Sequence, residues 1–337
     1  MRGDVPPRWA TPLLLPFVPI YAAAIAWRNR RFDRGDGGRR VDPPVVSVGN
    51  LVMGGTGKTP VCRWLAETML ESGIRPAIAM RGYRSAATGL ADEAAEYEAD
   101  LPGVPLAIGA DRWAAIGRLA PTPDCVILDD GFQHRRLHRD LDLVLVDASR
   151  SGLDRPMIPA GPRREPLESL RRADAVIVTR AASVDPAISR LIERHHGRPP
   201  LAWTRHLWTS IDERRATGVE TMGVESLRDR PVFAVFGTGH PDSIRRGLVE
   251  EHADLRGFRF LRDHARYSPE TLRAIASDAR RAGAEAIFTT AKDWVKWEPH
   301  IECLEGIPVL VPKLRIDFLE GEAALRSRLL QVVDRTG

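Results

Sequence analysis

A short apolar strand, a glycine-rich turn and a Lys-Thr pair follow one another from Val45 to Pro60: Val45-Val46-Ser47-Val48-Gly49-Asn50-Leu51-Val52-Met53-Gly54-Gly55-Thr56-Gly57-Lys58-Thr59-Pro60. These residue types in this order can hold a polyphosphate. Small residues at Gly54, Gly55, Thr56 and Gly57 let successive backbone N–H groups turn inward around phosphate oxygens. Lys58 adds a compact positive charge, and the Thr59 hydroxyl can ligate Mg²⁺. The strict spacing G-x-x-x-x-G-K-[ST] fails at one place, because Val52 stands where the first glycine belongs. The flanks sustain the reading: a β-branched strand precedes the turn and helical periodicity follows it over Val61–Leu70, neither of which a merely turning loop requires.

A second group of chemistry-bearing residues is Asp129-Asp130-Gly131-Phe132-Gln133-His134, which closes the apolar run Cys125-Val126-Ile127-Leu128. Carboxylates at the end of a strand beside a phosphate loop lie where a nucleotide's metal ion is held. Two adjacent carboxylates need a cation or donors to offset their repulsion, and the glycine lets both turn toward one site. Asp147, ending Leu143-Val144-Leu145-Val146, is a rival for the same role; Gln133 and His134 favour the 129/130 pair. Asp92-Glu93, in a polar loop after Met80-Arg81-Gly82-Tyr83-Arg84, and His264, in Arg262-Asp263-His264-Ala265-Arg266-Tyr267, read in isolation as solvated surface groups.

These residues need a scaffold, and 337 residues suffice for one large or two ordinary cores. The net charge is +4 and the excess is almost all arginine, lysine occurring only at Lys58, Lys292, Lys296 and Lys313. Biased codon usage accounts for that better than a nucleic-acid surface, and it makes each retained lysine informative. Three widely spaced cysteines, Cys62, Cys125 and Cys303, fit neither a disulfide framework nor a metal cluster and point to a reducing, cytosolic compartment.

From Trp9 to Trp27 the chain carries no charge, and Arg28, Arg30 and Arg31 follow. A secretory signal, a spanning helix, a buried packing helix and an element lying in the membrane interface compete for this segment. Export would part the phosphate loop from ATP, and Pro12, Pro16 and Pro19 weaken a single spanning helix. Flanking tryptophans and trailing arginines suit an interface with anionic headgroups.

Beyond residue 44, strand-like and helical stretches alternate, which predicts a parallel sheet wrapped by helices. Strands are expected at 45–49, 77–80, 104–108, 126–130, 143–147, 175–179, 231–237, 286–290 and 309–312, and helices at 59–72, 112–119, 186–195, 241–250, 269–282 and 321–333. A polar stretch near Thr209–Arg230 marks the expected domain boundary. The division is a membrane-interface segment at 1–40, a phosphate-loop domain at 41–215 and a smaller α/β domain at 216–337 that closes a cleft.

Taken together the motifs resemble the tetraacyldisaccharide 4′-kinase family, which phosphorylates an acylated glucosamine disaccharide in lipid A biosynthesis. The resemblance runs nearly end to end. It rests on Val48-Gly49-Asn50-Leu51 with Gly54-Gly55-Thr56-Gly57-Lys58-Thr59-Pro60, Arg81-Gly82-Tyr83, Asp92-Glu93 and Asp129 to His134. Pro159-Ala160-Gly161-Pro162-Arg163-Arg164-Glu165-Pro166, Ala173 to Arg180, Asp263-His264 and Thr290-Ala291-Lys292-Asp293 complete it. The missing first glycine is usual in that family.

The resemblance implies an α/β fold, a P-loop NTPase-like parallel sheet flanked by helices, with a second smaller α/β domain and an apolar N-terminal membrane-associated segment. It implies ATP and Mg²⁺. Asp92, tuned by His264, would act as base toward the sugar hydroxyl; Glu93, Asp129, Asp130 and Gln133 would hold Mg²⁺ together with Thr59; Lys58 and Arg164 would neutralise charge on the transferred phosphoryl group. Lys292 and Asp293 would lie on the nucleotide side, and Arg81, Tyr83 and Arg112 on the substrate side. The expected partners are the lipid disaccharide and the cytoplasmic face of the inner membrane, with the protein peripheral there, monomeric and bound to no nucleic acid. Departures from the family pattern fall at Ala94, at His240 within Gly237-Thr238-Gly239-His240-Pro241, and at Ala291.

Two other functions fit a phosphate loop. A membrane-associated ATPase switch that dimerises on nucleotide would carry a lysine before the Gly-Gly pair, where Met53 stands. A ligase or soluble metabolite kinase has no use for the apolar N-terminus.

Overall fold

The computed structural model describes residues 8–35, 38–82, 92–149, 151–237, 241–261 and 267–334, with Arg8, Asp92, Glu93, Pro241, Asp242 and Ser243 described in their backbone alone. The N-terminal apolar run is helical but broken. Pro12 opens α1 (Thr11–Leu14), Pro16 a 3-10 turn (Leu15–Phe17) and Pro19 α2 (Val18–Asp33), each within the first two positions of its piece, where the missing N–H has no intrahelical partner to lose.

The chain continues through β1 (Val45–Asn50), α3 (Lys58–Glu71), β2 (Pro76–Met80), α4 (Asp92–Asp100), β3 (Leu106–Ile108), α5 (Arg112–Ile116), β4 (Cys125–Asp129), β5 (Leu141–Asp147) and β6 (Ala175–Thr179). After these come α6 (Pro186–His196), β7 (Ala202–Arg215), β8 (Gly218–Met222), β9 (Pro231–Phe236), α7 (Pro241–Glu250), β10 (Asp254–Phe260), α8 (Pro269–Arg281), β11 (Ala286–Phe288), α9 (Ala291–Trp297), β12 (Val309–Glu320) and α10 (Glu322–Asp334).

Two compact units result: residues 1–82, 100–206 and 316–337 form one, and 83–99 with 207–315 form the other. In the first, the strand order is β7-β6-β5-β1-β4-β2-β3, with β1 paired in parallel to β5 and β4 (Val48 opposite Leu143 and Asp129). All six residues of β1 are buried, as a parallel strand covered on both faces demands. Because these strands run parallel, their carboxyl ends share one edge, and the loops after β1, β4, β5 and β6 meet there. Leu51, Phe132, Val144, Val178 and Trp203 build the core on one side of the strands; Val45, Ala77, Val126 and Leu128 belong to another cluster. In the second unit β9 pairs in parallel with β10 and β11, and β11 with β12.

The division of the chain differs from the one expected at 215/216. The last helix, α10, belongs to the first unit, and residues 83–99 to the second. The polar stretch near Thr209–Arg230 is an antiparallel hairpin of β7 and β8. Its charges are absorbed pairwise, Asp212 by Arg214 and Lys313 at 3.0 Å each, and Glu213 by Arg215 and Arg230 at 2.6 Å each. Strand β10 was also unexpected. The stretch after Asp92 is helix α4, with Ala94, Tyr97 and Leu101 buried at the i, i+3, i+7 spacing of one helical face. Ala94 is thus a buried position.

Candidate active site

Strand β1 delivers the chain into the glycine-rich turn, and Gly57 ends that turn in a left-handed conformation (φ 79°) that places Lys58 as the first residue of α3. No side chain caps this helix, so the first-turn N–H groups of Lys58 and Thr59 are left for an anion, and Pro60 removes a donor that has no partner there. Asn50 braces the turn: its Nδ2 donates to the Thr56 Oγ1 at 2.8 Å, and the Thr179 hydroxyl at the end of β6 donates to the Thr56 carbonyl at 2.8 Å. The Arg180 guanidinium donates to the Gly55 carbonyl at 2.6 Å and pairs with Asp147 at 2.5 Å.

Val52 has a structural cause. Its side chain is part of the core with Leu51, Phe132 and Leu153, and its backbone bridges Arg163, while the Met53 N–H donates to the Pro162 carbonyl at 2.8 Å and the Arg164 N–H to the Leu51 carbonyl at 2.7 Å. The position that lacks glycine is thus where the loop is stitched to the segment carrying Arg164.

Asp129 ends β4 and is buried beside β1, whereas Asp130 takes a left-handed conformation (φ 51°) that turns it away from the strand direction. A Cβ on Gly49 would come within 2.5 Å of the Phe132 Cβ, so glycine is required for the loop after β4 to lie against β1. Asp130 accepts from Arg164 Nη1 at 2.9 Å on both oxygens and pairs with the Lys58 Nζ at 3.5 Å. Gln133 completes the cluster, donating from Nε2 to the Asn50 carbonyl at 2.9 Å and accepting from Arg164 at 3.2 Å. Burial alone would raise the Asp130 pKa, but Lys58 and Arg164 outweigh it and hold the carboxyl at about 2. It is therefore ionised at neutral pH.

The donor set fits ATP with Mg²⁺. Uncapped helix N–H groups, Lys58 and Arg164 suit phosphate oxygens. The Thr59 hydroxyl and the strand-end carboxylates Asp129 and Asp130 are hard oxygen ligands for Mg²⁺. Among the described residues no three His, Cys, Asp or Glu side chains form a metal cluster.

Lys58, Asp130, Gln133 and Arg164 are brought into one bonded cluster. Arg81 is exposed just past the end of β2, and Arg112, at the start of α5, is buried. His264 and Tyr83 lie outside the described residues, as does His240, and Asp92 and Glu93 are the first two residues of α4. In the second unit, half-buried Lys292 follows the Thr290 cap of α9. Asp293 is fully buried, and its carboxylate accepts from the Gly237 N–H, the Tyr267 hydroxyl and the Thr290 hydroxyl, each at 2.9 Å. These bonds join the start of α9 to Gly237, just past the end of β9. Sequence reasoning assigned no role to Asn50, Thr179 or Arg180; a polar residue at the carboxyl end of a parallel strand was the available signal.

His134 is held neutral. Burial, then the charges of Arg112, Arg139 and Arg136, lower its pKa from 6.5 to about 4. Between those values the unfolded chain binds the extra proton, so stability rises with pH across that window and levels off above it. The urea midpoint is expected to climb from acid to neutral pH by on the order of 1 kcal/mol in stability, and to climb less in His134→Gln. An unaltered slope in that variant would place the titration elsewhere.

The comparisons with known proteins point to one family. The tetraacyldisaccharide-1-P 4′-kinase family profile matches residues 10–334. Tetraacyldisaccharide 4′-kinase of Chlorobium chlorochromatii (strain CaD3) is 32% identical over 355 residues, covering 94% of this chain and 92% of its own. That of Anaeromyxobacter dehalogenans (strain 2CP-C) is 35% identical over 342 residues, covering 94% and 89%. A crystal structure of LpxK from Aquifex aeolicus in complex with ATP superposes with a TM-score of 0.71 at 28% identity, covering 95% of this chain and 98% of that one. A family profile matched over residues 10–334, with relatives 32% and 35% identical over most of both chains, shows that the chain belongs to the tetraacyldisaccharide-1-P 4′-kinase family.

Proposed function

We propose that the protein transfers the γ-phosphoryl group of ATP to the 4′-hydroxyl of a tetraacylated glucosamine disaccharide 1-phosphate, giving lipid IVA in lipid A biosynthesis. The observation that carries this reading is the cluster of Lys58, Asp130, Gln133 and Arg164 at the shared strand edge, within a family match spanning most of the chain.

The 4′-oxygen attacks the γ-phosphorus, the bond to the β–γ bridging oxygen breaks, and ADP leaves with the electron pair. The hydroxyl proton passes to Asp92, which His264 tunes. Lys58 and Arg164, aligned by their shared partner Asp130, face the charge that gathers on the transferred oxygens. Bound through Thr59, Asp129 and Asp130, with Glu93 and Gln133 in support, Mg²⁺ would supply further charge neutralisation. Lys292 and Asp293 would serve the nucleotide, and Arg81, Tyr83 and Arg112 the lipid acceptor.

The enzyme works as a monomer peripheral to the cytoplasmic face of the inner membrane. Support for the membrane location comes from Thr11–Asp33, which is long and apolar enough to cross a membrane and whose most apolar stretch is only 6% buried. Trp9, Leu13, Phe17, Ile20 and Trp27 are exposed along it at helical spacing, and Arg30 and Arg31 stand exposed beyond. Replacing Phe17 and Ile20 by serine is expected to cut partitioning onto anionic vesicles about tenfold and to raise the apparent KM for lipid more than that for ATP. Unchanged partitioning would remove the interfacial role. The activity itself is tested by incubating purified protein with Mg-ATP and the acylated disaccharide 1-phosphate and weighing the lipid by mass spectrometry. One added phosphate is expected; lipid of unchanged mass would overturn the proposal.

A further inference from the structure

Two adjacent residues, Arg164 and Glu165, face opposite tasks. Arg164 reaches the phosphate site through Asp130 and Gln133. Glu165 is fully buried and faces the N-terminal helix: Oε1 accepts from Arg28 Nη2 at 3.3 Å and Oε2 from Asn29 Nδ2 at 2.9 Å. The Tyr21 hydroxyl donates to the Arg164 carbonyl at 3.0 Å, so three groups of α2 bind this one dipeptide.

A fourth partner connects the same carboxylate to the loop after β4. Arg172 grips Glu165 with both Nη atoms, at 2.7 and 2.9 Å, donates to the Phe132 carbonyl at 3.1 Å and stacks 3.6 Å from the Phe132 ring centre. Phe132 lies in the chain between Asp130 and Gln133, the two residues that Arg164 holds. Burial would raise the Glu165 pKa, but Arg172, Asn29 and Arg28 outweigh it and keep the carboxylate charged.

A buried carboxylate sharing a bidentate arginine is already satisfied. The additional bonds to Arg28 and Asn29 are therefore more than the fold needs at this point. Their donors lie on the element whose apolar stripe is turned to solvent.

We propose that Glu165 is a positioning residue through which the seating of α2 sets the Arg164 guanidinium at the phosphate site, so that phosphoryl transfer is coupled to engagement of the apolar N-terminal helix. The coupling rests on the kinase reading above. Its physical basis is short: Arg164 and Glu165 share a peptide unit, and a displacement of α2 pulls on the Arg164 carbonyl and the Glu165 carboxylate together. Misplacing a charge-stabilising group by a fraction of an ångström lowers turnover without loosening ground-state binding.

The test is Arg28→Ala with Asn29→Ala. This pair removes the two bonds from α2 to the Glu165 carboxylate and leaves the Tyr21 bond to the Arg164 carbonyl in place, while Arg172 still neutralises Glu165, and Arg135 still holds α2 through the Asn29 carbonyl at 3.0 Å and Asp33 at 2.7 Å. The expected result is a roughly tenfold fall in kcat at saturating lipid, with KM for ATP and the thermal midpoint near their wild-type values. In an Arg164→Lys background the same pair is expected to cost little more, because the link then has no guanidinium to position. A wild-type kcat in the double variant would overturn the coupling. So would an equal further loss in the Arg164→Lys background, which would mark a general structural role. If instead the wild-type protein adds no phosphate to the lipid, the kinase reading falls and the coupling with it, an outcome distinguishable from the first two.

Discussion

Lys58→Ala is expected to lower phosphate transfer by at least about 10³-fold, measured as radiolabel moved from ATP to lipid in a single turnover. Lys58 is the first residue of α3, its side chain is only 15% exposed, and its Nζ lies 3.5 Å from Asp130. The loop's N–H groups carry only partial charge and cannot replace a full cation at the oxygens where charge gathers. The variant also frees Asp130 of one of its two cations, so the carboxylate that orients Arg164 is itself less constrained. Near-wild-type turnover would dismiss the phosphate-loop assignment.

Asp92→Asn is expected to lower kcat by at least about 10²-fold while leaving ATP affinity almost unchanged. Asparagine preserves size and hydrogen bonding but cannot take the hydroxyl proton. The rival base is the 129/130 pair, and its electrostatics disfavour it: Asp130, held at about pKa 2 between Lys58 and Arg164, is a weak acceptor whose oxygens are already engaged. Stopped-flow nucleotide binding beside steady-state turnover separates the two effects. An Asp92→Asn enzyme that turns over normally would return the role to the carboxylates after β4.

Both expectations begin from features legible along the chain. The strand, glycine turn and Lys-Thr pair stand within sixteen consecutive residues, and the periodicity of α3 is visible in Val61, Cys62, Leu65, Ala66 and Met69, all buried. Strands β1, β4, β5 and β6 were legible because both faces of a parallel strand are covered and the run reads as continuously apolar. The hairpin of β7 and β8 was not, since Asp212, Glu213, Arg214 and Arg215 resemble a solvated linker until their partners are known. Two of those partners, Arg230 and Lys313, are remote in sequence. Helix α4 failed for a related reason: its acidic opening masked the buried face of Ala94 and Tyr97.

Sequence alone determined the phosphate loop, the strand-end carboxylates, the family and the apolar N-terminus, because each is a local pattern set by periodicity, glycine spacing or residue type. Tertiary structure decided that Asp130 pairs with Lys58 and Arg164, why Val52 replaces glycine, that Asp293 bonds to Gly237, Tyr267 and Thr290, and that Glu165 joins the N-terminal helix to the arginine beside it. Each of these depends on strand order bringing residues such as Tyr21 and Arg164, or Lys58 and Asp130, within bonding distance. Pairing across such separations is fixed by the geometry of the assembled sheet, which no local pattern encodes.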